Sequence, residues 1–103
     1  MQVKLVSFTG STKIGKIVQA NVNNRFGKCI LELGGNNASI IMADANLDLA
    51  IKGSLFGAVG TCGQRCTSLR RLLIQEQVFE EVKSKLVKVY PTIAIGNPTE
   101  PGN

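Results

Sequence analysis

Val3-Lys4-Leu5-Val6-Ser7-Phe8-Thr9-Gly10-Ser11-Thr12-Lys13-Ile14-Gly15 begins as a β-run, turns at a glycine and continues with hydroxyl residues that cap helices. The pattern predicts a strand over residues 3–8, a turn at Thr9-Gly10-Ser11 and a helix from Ser11 or Thr12 to about Val22. Arg25 to Gly27 breaks the helix, and Lys28-Cys29-Ile30-Leu31-Glu32-Leu33 follows as an almost continuous apolar run of the kind buried in parallel sheets. Strand, helix and strand make one β-α-β unit, so the fold class is α/β.

Working outward, Gly34-Gly35-Asn36-Asn37 ends the second strand, and residues 38–42 read as a third. Asp44 to Asn46 supplies capping chemistry for a helix carrying Leu47, Ile51, Leu55, Phe56 and Val59. Gly53, Gly57 and Gly60 fall in that helix, where each glycine costs about 1 kcal/mol relative to alanine. Close packing against neighbours is the expected reason for them. A loop over residues 61–67 leads to a strand at 71–75 and an amphipathic helix from Glu76 to about Tyr90. Val78, Val82, Leu86 and Val89 share one face of that helix, which is read as a surface helix packed on a sheet. Residues 91–103 are rich in Pro, Gly, Asn and Thr and read as a loop or tail.

A chain of 103 residues suffices for one small domain. Its net charge of +5 comes from 12 Lys and Arg against 7 Asp and Glu. The lysines are dispersed, aromatics make up only 5 %, and no basic face with interleaved rings is formed, so nucleic acid is not expected as a partner. The first residues lack the pattern of a secretory leader, and no apolar run approaches the ~18 residues of a membrane span. A reducing compartment is therefore expected, which suits an odd count of 3 cysteines. Cys62 and Cys66 lack further ligands for zinc, since the chain has no histidine, so no metal is expected.

The absence of histidine also excludes every Cys/His dyad. A nucleophilic cysteine needs a group that takes its proton or stabilises its charge. Glu32 is the one carboxylate set among apolar residues, Cys29, Ile30, Leu31 and Leu33, and followed by a double glycine. A buried carboxylate there would be a stronger general base; the other reading is an edge-strand residue facing water. Among the thiols, Cys29 within a strand reads as inert. Cys66 lies in the polar loop Gly63-Gln64-Arg65-Cys66-Thr67, where the neighbouring Arg65 cation would stabilise thiolate. Arg65 itself is either a solvated loop charge or a bidentate grip on a carboxylate. The turn at Gly10 and Ser11 offers the N–H groups of a helix start to an anion, an arrangement common to many α/β proteins. The Gly-x-Gly-x-x-Gly fingerprint is absent.

Glu32-Leu33-Gly34-Gly35-Asn36-Asn37-Ala38, Gly63-Gln64-Arg65-Cys66-Thr67-Ser68-Leu69-Arg70-Arg71 and Phe8-Thr9-Gly10-Ser11-Thr12-Lys13-Ile14-Gly15 together resemble the signatures of the aldehyde dehydrogenase superfamily, in family order. The first two look most like the antiquitin branch, the α-aminoadipic semialdehyde dehydrogenases. The resemblance implies a fold in which residues 1–34 end a Rossmann-type NAD-binding domain and residues 35–103 begin the catalytic α/β domain. It implies Cys66 as the nucleophile, with its own N–H in the oxyanion hole, and Glu32 as the base that activates water against the thioester. Gly10, Ser11 and Gly34 are implied to bind NAD, with NADP the other coenzyme option, and Arg65 to hold the far carboxylate of a semialdehyde. Cys62 is read as a bystander able to form a disulfide with Cys66 under oxidation. Ser68 departs mildly from the wider family, where alanine or glycine is usual.

Family enzymes are several times longer, so the resemblance also implies an internal piece of a homo-oligomeric enzyme. Such an enzyme is expected in the cytoplasm, or in mitochondria if a longer precursor exists. An upstream oxyanion asparagine, an upstream lysine and a downstream glutamate for the coenzyme's riboses are not assignable here, and the isolated chain is expected to be inactive. The competing function class is a non-catalytic α/β remnant serving as an interaction or structural module.

Overall fold

A computed structural model of the chain describes residues 3–100. The residues group into two compact units, Met1–Asn36 and Asn37–Asn103.

In the first unit, β1 (Leu5–Gly10), α1 (Thr12–Asn23) and β2 (Lys28–Leu33) follow one another, and β1 pairs in parallel with β2. The register sets Leu5 opposite Lys28, Thr9 opposite Glu32 and Gly10 opposite Leu33. The first strand thus runs through Gly10 instead of turning after Phe8, because the ladder to β2 continues to that residue. Ser11 is the N-cap of α1, its Oγ accepting from the Ile14 N–H at 3.3 Å. Gly15 on the first turns of α1 lies against the Leu33 side chain so closely that an added Cβ would fall 2.6 Å from a Leu33 methyl. That approach lays α1 on the face of β2 that carries Leu33. Phe26 takes a left-handed φ of 56°, after which the Gly27 N–H returns to the Val22 carbonyl and the Lys28 N–H to that of Lys4.

The second unit runs β3 (Ala38–Ile41), α2 (Leu47–Val59), a short 3-10 turn (Gly60–Gly63), β4 (Arg71–Ile74) and α3 (Glu76–Val89). Strands β3 and β4 are again parallel, Ala38 opposite Arg71 and Ile41 opposite Ile74. Asn46 caps α2, its Oδ1 accepting from the Leu49 N–H at 3.1 Å. Ile41, Ile51 and Val82 are buried together, and Leu72, Ile74, Val78, Leu86 and Val89 pack around them. The apolar face predicted for α3 is the face that closes this core. The Lys85 ammonium joins α3 to α2 by a 2.8 Å contact with Asp48. That hydrogen bond, then the Lys85 charge, holds the Asp48 carboxyl below its ordinary range, and the same bond holds Lys85 above its own. Asp48 is exposed and Lys85 half-buried, and both shifts favour the charged pair across neutral pH, so its contribution fades as acid protonates Asp48 or alkali neutralises Lys85.

Two expectations need correction. The helix glycines do not share a packing role: a Cβ on Gly53 would meet open space, one on Gly57 would make ordinary contact with Leu69 at 3.4 Å, and Gly60 lies just past the end of α2. The tail contains a 3-10 turn, Tyr90–Thr92, and its final residues 101–103 lie outside the described residues. Among the described residues, no helix is long and apolar enough to cross a membrane.

Adjacent residues on β3 give a direct check of register. Ile41 is 2 % exposed and Ile40 is 68 % exposed. Ile41→Ala should destabilise the chain by about 2–5 kcal/mol in urea denaturation, whereas Ile40→Ala should change it by less than about 0.5 kcal/mol. Equal effects would contradict the register of β3.

Candidate active site

The parallel register of the first unit brings Thr9-Gly10-Ser11 and Glu32-Leu33-Gly34 to the same C-terminal strand edge. This is the edge at which open α/β sheets bind ligands. Ser11 has one role settled there, as the cap of α1. The start of a 12-residue helix adds further N–H groups directed at the edge. Gly10 is exposed, and a side chain on it would collide with the Phe8 ring; space around the Gly34 Cα is open.

Glu32 is where the structure differs most from the sequence reading. Burial alternates along β2, with Cys29, Leu31 and Leu33 partly buried and Lys28, Ile30 and Glu32 exposed. Side chains two apart share a strand face; Leu33 is on the α1 face, so Cys29 and Leu31 are too, and Glu32 points the other way. Within this chain the expected burial of Glu32 is therefore contradicted: among the described residues, α1 covers the Leu33 face of the strand pair, and Glu32 lies on the other face.

In the second unit, α2 gives way to a stretch of left-handed backbone. Thr61, Cys62 and Gly63 have φ of 52°, 53° and 66°. For the two non-glycine residues this costs roughly 1–2 kcal/mol each, a strain found preferentially at functional sites. The chain then makes a tight turn, Arg65–Ser68, with Cys66 and Thr67 at its centre. The Ser68 N–H donates to the Arg65 carbonyl at 3.1 Å, and the Arg65 N–H donates to the Ser68 Oγ at 3.0 Å. Cys66 is exposed, as is Cys62, while Cys29 is partly buried under α1.

Asn37 reaches this turn from the start of β3. Its Nδ2 donates to the Cys66 carbonyl at 2.6 Å and to the Ser68 carbonyl at 3.0 Å. Its backbone carbonyl accepts from the N–H groups of Arg70 and Arg71 at 3.0 and 3.1 Å. The sequence reading gave neither Asn37 nor the buried Ser68 a structural part. An asparagine just before a strand was the available signal, but it becomes meaningful only once β3 and β4 are known to pair.

Arg65 packs its guanidinium over the Phe56 ring, 4.7 Å from the centroid, and Nη2 reaches the Phe56 carbonyl at 3.4 Å. Its Nε is buried without a hydrogen-bond partner. The solvated-charge reading of Arg65 is thereby set aside: this arginine is stacked on α2 and partly buried.

The aldehyde dehydrogenase family model matches residues 1–103. The chain is 54 % identical over 101 residues to an aldehyde dehydrogenase family 7 member A1 of Malus domestica, covering 98 % of this chain and 20 % of that relative. It is 53 % identical over 100 residues to an α-aminoadipic semialdehyde dehydrogenase of Rattus norvegicus, covering 97 % of this chain and 19 % of the relative. Among solved structures, a succinate-semialdehyde dehydrogenase from Burkholderia pseudomallei superposes with a TM-score of 0.92 at 35 % identity, covering 97 % of this chain and 21 % of that one. A betaine aldehyde dehydrogenase from Staphylococcus aureus in complex with NAD+ superposes with a TM-score of 0.89 at 35 % identity, with 97 % and 20 % coverage. The chain therefore spans about a fifth of the length of the relatives it matches.

The exposures of the three thiols set an order of reactivity. Brief iodoacetamide treatment near neutral pH followed by peptide mapping should label Cys62 and Cys66 several-fold faster than Cys29. Faster labelling of Cys29 would contradict the placement of Cys29 beneath α1.

Proposed function

Because the chain belongs to the aldehyde dehydrogenase family, we propose that it carries the nucleophile, the hydrolytic base and part of the coenzyme cradle of an NAD-dependent aldehyde dehydrogenase of antiquitin type, with a semialdehyde such as α-aminoadipic semialdehyde as substrate. In this reading residues 1–34 belong to the coenzyme domain and residues 35–103 to the catalytic domain. One observation supports it above the others: Cys66 is exposed at the centre of a turn whose two ends are tied by hydrogen bonds.

Mechanistically, the Cys66 sulfur adds to the aldehyde carbon, and the Cys66 N–H donates to the oxygen on which charge develops. NAD, when bound, would supply the hydride acceptor for this step, and Cys66 would carry the resulting acyl group as a thioester. Glu32 takes a proton from the water that attacks that thioester, returning the thiol and releasing the carboxylate. Glu32 lies on the β2 face opposite α1, at the C-terminal strand edge that also carries Gly34.

Gly10, Ser11, Gly34 and the start of α1 would hold the coenzyme. Their placement fits an anionic group: a capped helix start at the C-terminal strand edge, beside glycines that let a ligand approach the backbone. Arg65 has one donor on the Phe56 carbonyl, and a guanidinium has five. It retains donors for the far carboxylate of a semialdehyde, with Phe56 holding it in place.

The test places this segment in a complete family enzyme. Cys66→Ser should lower aldehyde oxidation by on the order of 10⁴-fold or more, since no histidine in the segment activates a hydroxyl. Glu32→Gln should slow steady-state turnover by roughly 10²-fold to 10⁴-fold, while a burst of NADH persists. Normal turnover by Cys66→Ser, or loss of the burst in Glu32→Gln, would contradict the assigned roles. Failure of the unsubstituted segment to support oxidation would favour the non-catalytic module.

A further inference from the structure

Both peptide groups that flank the Cys66 Cα are held by hydrogen bonds, one from within the turn and one from Asn37 before β3. On the N-terminal side, the Arg65 carbonyl accepts from the Ser68 N–H at 3.1 Å. A planar trans peptide points its C=O and N–H in opposite directions. The bond that holds the Arg65 carbonyl inside the turn therefore turns the Cys66 N–H outward. On the C-terminal side, the Cys66 carbonyl accepts from the Asn37 Nδ2 at 2.6 Å. Both rotations about the Cys66 Cα are therefore constrained, one by the turn itself and one by Asn37.

Ser68 is held just as firmly. It is 1 % exposed, its Oγ accepts from the Arg65 N–H at 3.0 Å, and its carbonyl takes the second Asn37 N–H at 3.0 Å. Both Asn37 partners are carbonyl acceptors, so only the NH₂ end of its amide can face them. Asn37 is anchored in turn, because its backbone carbonyl closes onto Arg70 and Arg71 at the entry to β4.

Resting on the reading of Cys66 as nucleophile, we propose that Asn37 and Ser68 are positioning residues for aldehyde attack: they aim the Cys66 N–H at the oxygen of the attacked carbonyl. A donor set in place before reaction stabilises a developing oxyanion without reorganising. A loose donor does not, and misplacement by ~1 Å costs about 10²-fold. Attack on the aldehyde forms a C–S bond and moves the carbonyl π pair onto oxygen, where the N–H is needed. Alkylation by iodoacetamide forms a C–S bond and expels iodide, with no oxyanion at that place. The two reactions of one sulfur therefore separate aim from thiol access.

The experiment uses the same segment within a complete family enzyme and compares the burst rate of NADH formation with the iodoacetamide rate at Cys66. Asn37→Ala should lower the burst rate by about 10-fold to 10²-fold and leave alkylation within about threefold of the parent. Ser68→Ala should do the same to a smaller extent, and Ser68→Thr, which keeps the hydroxyl, should recover most of the burst rate. If Asn37→Ala does not fold, the Ser68 pair decides. A parallel fall in burst and alkylation would overturn the proposal, since the residues would then only support the loop. So would an unchanged burst rate in both alanine variants beside an inactive Cys66→Ser. Turnover by Cys66→Ser would instead remove the nucleophile reading on which the proposal stands.

Discussion

Parallel pairing puts the starts of two strands at one edge and their ends at the other, which a hairpin never does. Everything of chemical interest in this chain follows from that constraint, used once at each edge. In the first unit the strand ends are used: Gly10 opposite Leu33 brings Ser11 and Gly34, distant in sequence, to a common edge. In the second unit the starts are used. Ala38 opposite Arg71 sets the residue before β3 beside the segment that leads into β4, so Asn37 meets the Cys66 turn.

The two edges are built differently. At the first, a capped helix start presents backbone N–H groups, and the adjoining glycines leave the backbone accessible. At the second, a strained passage through Thr61, Cys62 and Gly63 delivers the chain into a turn closed by Ser68 and Asn37. Arg65 shows the same economy: its backbone closes the turn, and its side chain stacks on Phe56 and caps the end of α2 by bonding the Phe56 carbonyl. Rigid support of this kind orders a loop residue that the loop alone would leave poorly fixed.

Local signals were legible in the sequence. The capping residues Ser11 and Asn46 stand where hydroxyl and amide chemistry placed helix starts, and the face of Val78, Val82, Leu86 and Val89 was plain from its spacing. The alternation of β2 was not legible, because Lys28 to Leu33 carries apolar residues on both faces and only the position of α1 decides which are covered. The exposure of Glu32 escaped for that reason. Asn37 and Ser68 escaped for another: their partners come from non-local pairing, and periodicity within a segment is silent about which strands meet. The family resemblance named Cys66 and Arg65, yet only the geometry shows that the turn between them and Ser68 is clamped from β3.

Native-state amide hydrogen exchange across residues 65–71 tests this clamp most directly. The Ser68, Leu69, Arg70 and Arg71 N–H groups donate to the carbonyls of Arg65, Gly57, Asn37 and Asn37, so they should exchange slowly, whereas the outward Cys66 N–H should exchange near the unprotected rate. Protection of Cys66 equal to that of Ser68, or unprotected exchange at all five positions, would contradict a turn held to present the cysteine.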